Sequence, residues 1–209
     1  MWPGWQPATC LPDACFCEAI RQGAIAQPAN FWSSFAFVVV GLFVWRRGLF
    51  AATLVLVGAG SAFYHASLTF TGQAADVAGM YGIATAAILY GVRRTRRVPA
   101  VWFVAANVLL IAVQVLFPEA RRFVFAGLLA GVLVTQRWSG WMARALVVFA
   151  IGAAFWAVDL ARVACTPESL VQGHAVWHVA GATAAWLLYR HFGLTNQIKS
   201  AYTASHGPG

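Results

Sequence analysis

Gly58-Ala-Gly-Ser-Ala-Phe-Tyr-His-Ala-Ser-Leu-Thr-Phe-Thr-Gly-Gln-Ala-Ala-Asp76 is the stretch on which the reading of this chain turns. It belongs to an apolar segment, yet it carries Ser61, His65 and Asp76, side chains that a lipid-facing position does not accept without partners. Partners are available in a distant apolar run, where His174 and His178 stand four apart in His-Ala-Val-Trp-His. Residues four apart on an α-helix share a face. Ser61 with His65, and His174 with His178, are two such pairs.

Composition sets the surroundings of these residues. Of 209 residues, 61% are hydrophobic and 10% charged, against roughly 45–50% apolar and 25% charged in soluble domains. An integral membrane protein is expected, and at about 20 residues per crossing its length suits one bundle with no sizeable soluble domain. The formal charge of +8 is scattered between apolar runs rather than gathered in a patch. It reads as a topology signal, and nucleic-acid binding is not expected.

Apolar runs occur at Phe31–Trp45, Leu49–Leu68, Asp76–Val92, Val98–Phe117, Phe123–Gln136, Ala145–Ala161 and Val171–Tyr189. The expected fold class is therefore all-α, a polytopic seven-transmembrane helix bundle. Residues 1–30 have no basic segment followed by an apolar core, so no cleaved signal peptide is expected there. With four Pro, three Cys, Asp13 and Glu18, they read as a short ordered cap. Residues 31–190 form the bundle, and residues 191–209 are expected to be a polar, disordered tail.

An N-out, C-in orientation places Arg46, Arg47, Arg93, Arg94, Arg96, Arg97, Arg137, Arg144, Arg190 and Lys199 inside, and leaves Arg21, Arg121, Arg122 and Arg162 outside. That distribution follows the positive-inside rule, and the reverse orientation inverts it. Trp138 and Trp141 fit an inner aromatic belt. Cys10, Cys15, Cys17 and Cys165 all fall on the outer face, where an even set of thiols permits disulfides. A Cys17–Cys165 bridge would tie the cap to the loop before the last helix; unpaired buried thiols are the alternative.

The same topology puts His65, His174 and His178 within roughly 5–10 Å of the outer boundary, from the helical rise, with Asp76 at that end of the third helix. A lone membrane histidine is more often a packed ring hydrogen-bonded to its surroundings than a ligand. Three histidines with Asp and Ser at one depth instead point to a metal site. Neutral imidazoles suit Zn, Cu, Fe or Ni, and three His with an open fourth position resemble catalytic zinc. Asp76 as a fourth ligand would close the site and make it structural. Asp159 is expected to pair locally with Arg162 rather than to support an imidazole. His191 and His206 read as solvated, and Gly58–Gly60 as a close-packing patch.

Taken together, several pieces resemble the alkaline ceramidase family, within the superfamily that also holds the progestin and adiponectin receptors. They are Cys17-Glu18, Pro-Ala-Asn-Phe-Trp-Ser from Pro28 to Ser33, Gly60-Ser-Ala-Phe-Tyr-His65-Ala-Ser-Leu, Asp76, Asp159 with Cys165, and His174-Ala-Val-Trp-His178. The resemblance implies a seven-helix fold with zinc held by His65, His174 and His178, Asp76 as general acid/base, and Ser61 helping to hold the developing oxyanion. It implies hydrolysis of ceramide or a related N-acyl membrane lipid, from a site near the extracytoplasmic face of the bilayer. Eukaryotic members of the family resemble calcium-regulated enzymes that use acids in the cap. Here Glu18 matches one ligand position, but Cys15 stands where an acid is expected, Ile20 where Asn is expected and Asn30 where Glu is expected. Glu18 and Asn30 are thus the calcium candidates, in a cap that departs from the calcium pattern. The alternatives are a zinc hydrolase of another membrane lipid, a receptor-like lipid-binding protein of the progestin and adiponectin type, and a metal or proton transporter.

Overall fold

The computed structural model describes residues 2, 4–13, 15–93 and 100–205, with side chains described as far as residue 193 except at 93. Among these residues the chain is all-helical apart from one isolated bridge between Pro7 and Thr69. The helices are α1 (Pro28–Phe43), α2 (Leu49–Ser67), α3 (Phe70–Arg93), α4 (Ala100–Leu116), α5 (Arg121–Thr135), α6 (Gly140–Leu160) and α7 (Gly173–Ser205). Short 3-10 turns at Trp45–Arg47 and Pro118–Ala120 lead into α2 and α5.

The apolar runs and the helices coincide in number and order but not in all their bounds. The third helix begins at Phe70, six residues before the expected Asp76, where Thr69 caps it, and the sixth begins at Gly140 rather than Ala145, where the Ser139 hydroxyl accepts the Met142 N–H. The cap ends at Gln27, because Pro28 supplies a preset φ for the first turn of α1. The helix α7 continues to Ser205 through the stretch expected to be a disordered tail; between Tyr189 and Ser205 there is no Pro and a single Gly, Gly193. Of the basic residues used to orient the chain, Arg94, Arg96 and Arg97 lie outside the described residues, as do the side chains of Arg93 and Lys199. His206 lies outside them too.

Among the described residues, three helices are long and apolar enough to cross a membrane: α2, α3 and α6. The helix α4 together with Pro118–Thr135 meets the same test as a pair, but the two parts are bent by 119°. The helix α1 is apolar but has only 16 residues, and α7 places two histidines among its first six residues.

Neighbouring helices pack in the order α6, α7, α1, α2, α3, with α4 and α5 both on α3. A core of Phe37, Phe50, Leu54, Val57, Tyr90 and Phe192 fills the half of this arrangement away from the cap. Buried amides pin the outer helices to α3. Asn107 Nδ2 donates to Thr85 Oγ1 at 2.8 Å, Gln114 Nε2 to the Ala74 carbonyl at 3.0 Å and Gln136 Nε2 to the Ala87 carbonyl at 2.8 Å.

The α2–α3 hairpin sets the position of the central residues. Only Leu68 and Thr69 separate the two helices. Leu68 turns the chain at φ 49° in the left-handed region, and its N–H reaches the Tyr64 carbonyl at 2.7 Å. Thr69 Oγ1 then accepts the Gly72 N–H at 3.1 Å and caps α3. Small residues let the helices meet along their length: a Cβ on Gly60 would lie 2.8 Å from the Ala75 backbone, and one on Gly79 would overlap the backbone of Val57. Gly79→Ala is therefore expected to cost about 1–3 kcal/mol by forcing α2 and α3 apart. Thermal unfolding of the purified protein in detergent measures it, and an unchanged midpoint would contradict the close packing.

Candidate metal centre

His65 lies in the last turn of α2, and His174 and His178 in the first two turns of α7. All three are buried, and each offers a ring nitrogen within 4.8 Å of the other two. The ring centroids are 4.9 Å apart for His65–His174, 5.2 Å for His65–His178 and 4.5 Å for His174–His178. Two helices distant in sequence thus bring three imidazoles around one point.

Their hydrogen bonds set the direction of the lone pairs. Gln27, fully buried ahead of α1, donates from Nε2 to the Glu18 carbonyl at 3.2 Å, and its Oε1 lies 2.9 Å from His65 Nδ1. An amide oxygen only accepts, so His65 Nδ1 carries the proton and Nε2 the lone pair. Ser33 Oγ donates to the Asn30 carbonyl at 3.0 Å and lies 2.8 Å from His178 Nδ1, which assigns the proton to that nitrogen as well. His178 Nε2 then faces Ser61 Oγ at 3.2 Å.

His65 Nε2 and both ring nitrogens of His174 are buried with no hydrogen-bond partner. A buried unpaired acceptor costs about 1–3 kcal/mol, and the three rings together could hold a cation. Neutral nitrogen donors suit zinc and its neighbours in the first transition series. Asp76 is half-buried and does not belong to the group of mutually close ligand atoms. Its carboxylate comes near the Ser61 hydroxyl, and that hydroxyl accepts from Ser34 Oγ at 3.1 Å.

Other residues hold these donors in place. Glu18 is buried, and its carboxylate accepts the N–H groups of Ala29 at 2.6 Å and Asn30 at 2.9 Å, capping α1 from a distance. Burial pushes its carboxyl above the usual range, against the lowering effect of those two N–H groups. Both oxygens of Glu18, a calcium candidate, are thus engaged with α1. Asn30, the second candidate, is fully buried with both side-chain polar atoms unpaired.

Asp159 does not form the local pair expected with Arg162. Its Oδ1 accepts the His174 N–H at 3.1 Å and its Oδ2 the Cys17 N–H at 3.0 Å. The helix α6 ends at Leu160, and Arg162 adopts φ 56° and donates to the Phe16 carbonyl at 3.1 Å. The spacing of three residues therefore lies across a helix end, where it no longer brings side chains together. His191, expected to be solvated, is buried, with Nδ1 2.8 Å from Ser139 Oγ.

The cap closes over the centre. Cys17 is bonded to Cys165, and Cys10 to Cys15. Phe16 lies between two of these half-cystines and stacks on His174, with centroids 3.7 Å apart and ring planes 24° apart. The cap is laced to the α2–α3 turn by Ala8 N–H to the Leu68 carbonyl at 2.9 Å and Phe70 N–H to the Gln6 carbonyl at 2.8 Å. Sequence reading did not find Gln27, Ser33 or Phe16. The signal available for Gln27 and Ser33 was a polar side chain at the edge of an apolar run, and for Phe16 its place between two cysteines.

No protein-family model and no curated protein sequence matches the chain.

Asp159→Ala should lower stability by about 2–4 kcal/mol, since it strands the N–H of Cys17 and that of His174 in a buried setting. Chemical unfolding in detergent reads this loss; a variant as stable as the parent would contradict the double capping role.

Proposed function

We propose that the chain is a multi-pass membrane hydrolase that uses zinc, held by His65, His174 and His178, to cleave the amide bond of ceramide or a related N-acyl lipid. The observation that carries this reading is the convergence of buried imidazole nitrogens that have no hydrogen-bond partner, beside a carboxylate and a hydroxyl. The same proposal assigns the chain seven crossings with the N-terminus outside. Large apolar side chains on the outer faces of α4 and α6, such as Val108, Leu109, Val147 and Ile151, support a lipid surround. Two disulfides at the end that holds the histidines, and Arg46, Arg47, Arg137, Arg144 and Arg190 at the other, support the orientation from independent directions.

Bound zinc supplies a Lewis acid and brings the ionisation of a water down to about pH 7. The chain's own groups divide the remaining work. Asp76 accepts the proton of the water that attacks the acyl carbon and returns it to the leaving amine. The Ser61 hydroxyl donates to the acyl oxygen as negative charge develops there. Gln27 and Ser33 keep the Nδ1 protons of His65 and His178 pointed away from the centre. Phe16 and the disulfide-bonded cap cover it on the side away from the bundle. With Glu18 committed to α1 and the cap departing from the calcium pattern, calcium has no part in the proposed chemistry.

Purified protein should carry about one zinc per chain and release fatty acid from ceramide, while His65→Ala should lose both the metal and the activity. Asp76→Asn should keep its zinc yet fall by about 10²–10⁴-fold in rate. Full activity of Asp76→Asn would refute the acid/base role. Zinc-loaded protein that cleaves esters of other membrane lipids but not ceramide would move the substrate assignment while leaving the centre intact.

A further inference from the structure

The carboxylates of this chain are segregated along the bundle, and the arginines are shared between its two ends. All six carboxylates lie in the half that holds the histidines: Asp13 and Glu18 in the cap, Asp76 early in α3, Glu119 before α5, and Asp159 and Glu168 around the α6–α7 connection. The one ion pair among the described residues, Arg21 with Glu168, lies there as well. At the opposite end α6 begins, and α7 passes it with Arg190 about 24 Å along the helix from His174. Among the described residues, the arginines at that end form no ion pair with a carboxylate.

Four of them lie over aromatic rings: Arg46 over Trp45 at 6.0 Å, Arg47 over Tyr189 at 5.6 Å, and Arg144 and Arg190, which share one ring. Trp141 in the first turn of α6 and Trp186 on α7 meet edge to face, with centroids 6.4 Å apart and planes at 84°. The Arg190 guanidinium sits in this corner, 4.7 Å from the Trp141 ring and 5.5 Å from the Trp186 ring. The Arg144 guanidinium lies 5.0 Å from the same Trp141 ring. Two cations thus share one indole, although neither has a hydrogen bond or an ion pair among the described residues. Both arginines are exposed.

A guanidinium stacked on a ring keeps its N–H donors free at its edge and has already lost much of its rotamer freedom. Paired donors of that kind match the oxygens of a phosphate. Two like charges near one ring raise the local positive potential, which a bound anion relieves. Tryptophan in such a position also suits the headgroup level of a bilayer, where its apolar body and its N–H are both accommodated.

The geometry points to a binding site for the phosphate of an anionic phospholipid at Trp141, Arg144, Trp186 and Arg190, in the leaflet opposite the histidines. This site rests on the reading of the chain as a membrane protein, but not on zinc or on hydrolysis. The phosphodiester is gripped by the two guanidiniums, and the acyl chains lie along the apolar faces of α6 and α7. The bound lipid bridges the two helices at the end farthest from the disulfides.

Full-length protein in nanodiscs of phosphatidylcholine mixed with phosphatidylglycerol, released for native mass spectrometry, tests the site. The parent protein should retain phosphatidylglycerol in preference to phosphatidylcholine. The double variant Arg144→Gln/Arg190→Gln should lose that preference roughly thirtyfold, at the usual contribution of two arginines to binding at an anionic surface. Trp141→Leu should lose part of it, because both guanidiniums lose their support. Arg137→Gln, which removes an exposed charge from the same end without touching either ring, should change little. Equal loss in Arg137→Gln would reduce the site to diffuse charge, and a double variant that retains the lipid like the parent would overturn it. Full displacement of the lipid by an equimolar amount of inorganic phosphate would also overturn the lipid assignment, in favour of a free-phosphate site. A chain that fails to enter nanodiscs at all would remove the membrane reading and the site with it. A chain that enters without lipid preference would remove only the site.

Discussion

Imidazole nitrogens buried without partners are the constraint on which the rest of this structure depends. A ring nitrogen inside a bundle normally finds a donor or a carbonyl, because its desolvation is otherwise uncompensated. Here Gln27 and Ser33 satisfy the Nδ1 positions of two rings and so leave the Nε2 lone pairs directed inward. The third ring has no such bond and is instead fixed by Phe16 against its face. The surroundings satisfy Nδ1 of His65 and His178 but leave His65 Nε2 and both ring nitrogens of His174 unmet, while His178 Nε2 meets only the Ser61 hydroxyl. That pattern is compatible with folding only if the shortfall is made up by a ligand or outweighed by the packing around it.

The packing around it is tight and tied at several places. The two-residue turn between α2 and α3 fixes how far Ser61 and His65 lie from Asp76, and the contact of Gly60 with Ala75 brings the two backbones close enough for Asp76 to reach Ser61. Asp159 performs the equivalent task between α6, α7 and the cap, with one carboxylate receiving the N–H of His174 and that of Cys17. A disulfide between Cys17 and Cys165 restrains the same junction covalently. The histidine-bearing ends of α2 and α7 are therefore held from three sides, while the apolar core lies mainly in the other half of the bundle. Site and core divide the molecule along its axis, and the carboxylates follow that division.

Much of this was legible in the sequence because it is periodic. Apolar runs of helical length give the seven helices in order, and the four-residue spacing within Ser61–His65 and His174–His178 marks the faces that meet. What was not legible depends on single residues without a repeating pattern. Gln27 and Ser33 look like ordinary polar residues at the mouth of a helix, and only the folded chain shows which nitrogen each one meets. Asp159 was misread for a physical reason. The i,i+3 relation to Arg162 presumes a continuous helix, and the chain leaves the helix at Leu160, so the carboxylate turns to the backbone of α7 instead. His191 reads as solvated from its place in the inner flank, but it faces inward to Ser139 while Arg190 is exposed. The extension of α7 to Ser205 was missed because polarity was read as disorder, although nothing in that stretch stops a helix.

The most direct test of the central claim is the visible spectrum of the purified full-length chain after its metal has been exchanged for cobalt(II). Three imidazoles around one ion with a single open position produce the intense absorption of a four-coordinate cobalt centre, and the account predicts those bands at one equivalent of metal. The weak bands of six-coordinate, mainly water-ligated cobalt would show that His65, His174 and His178 do not act together as one ligand set, and would contradict it.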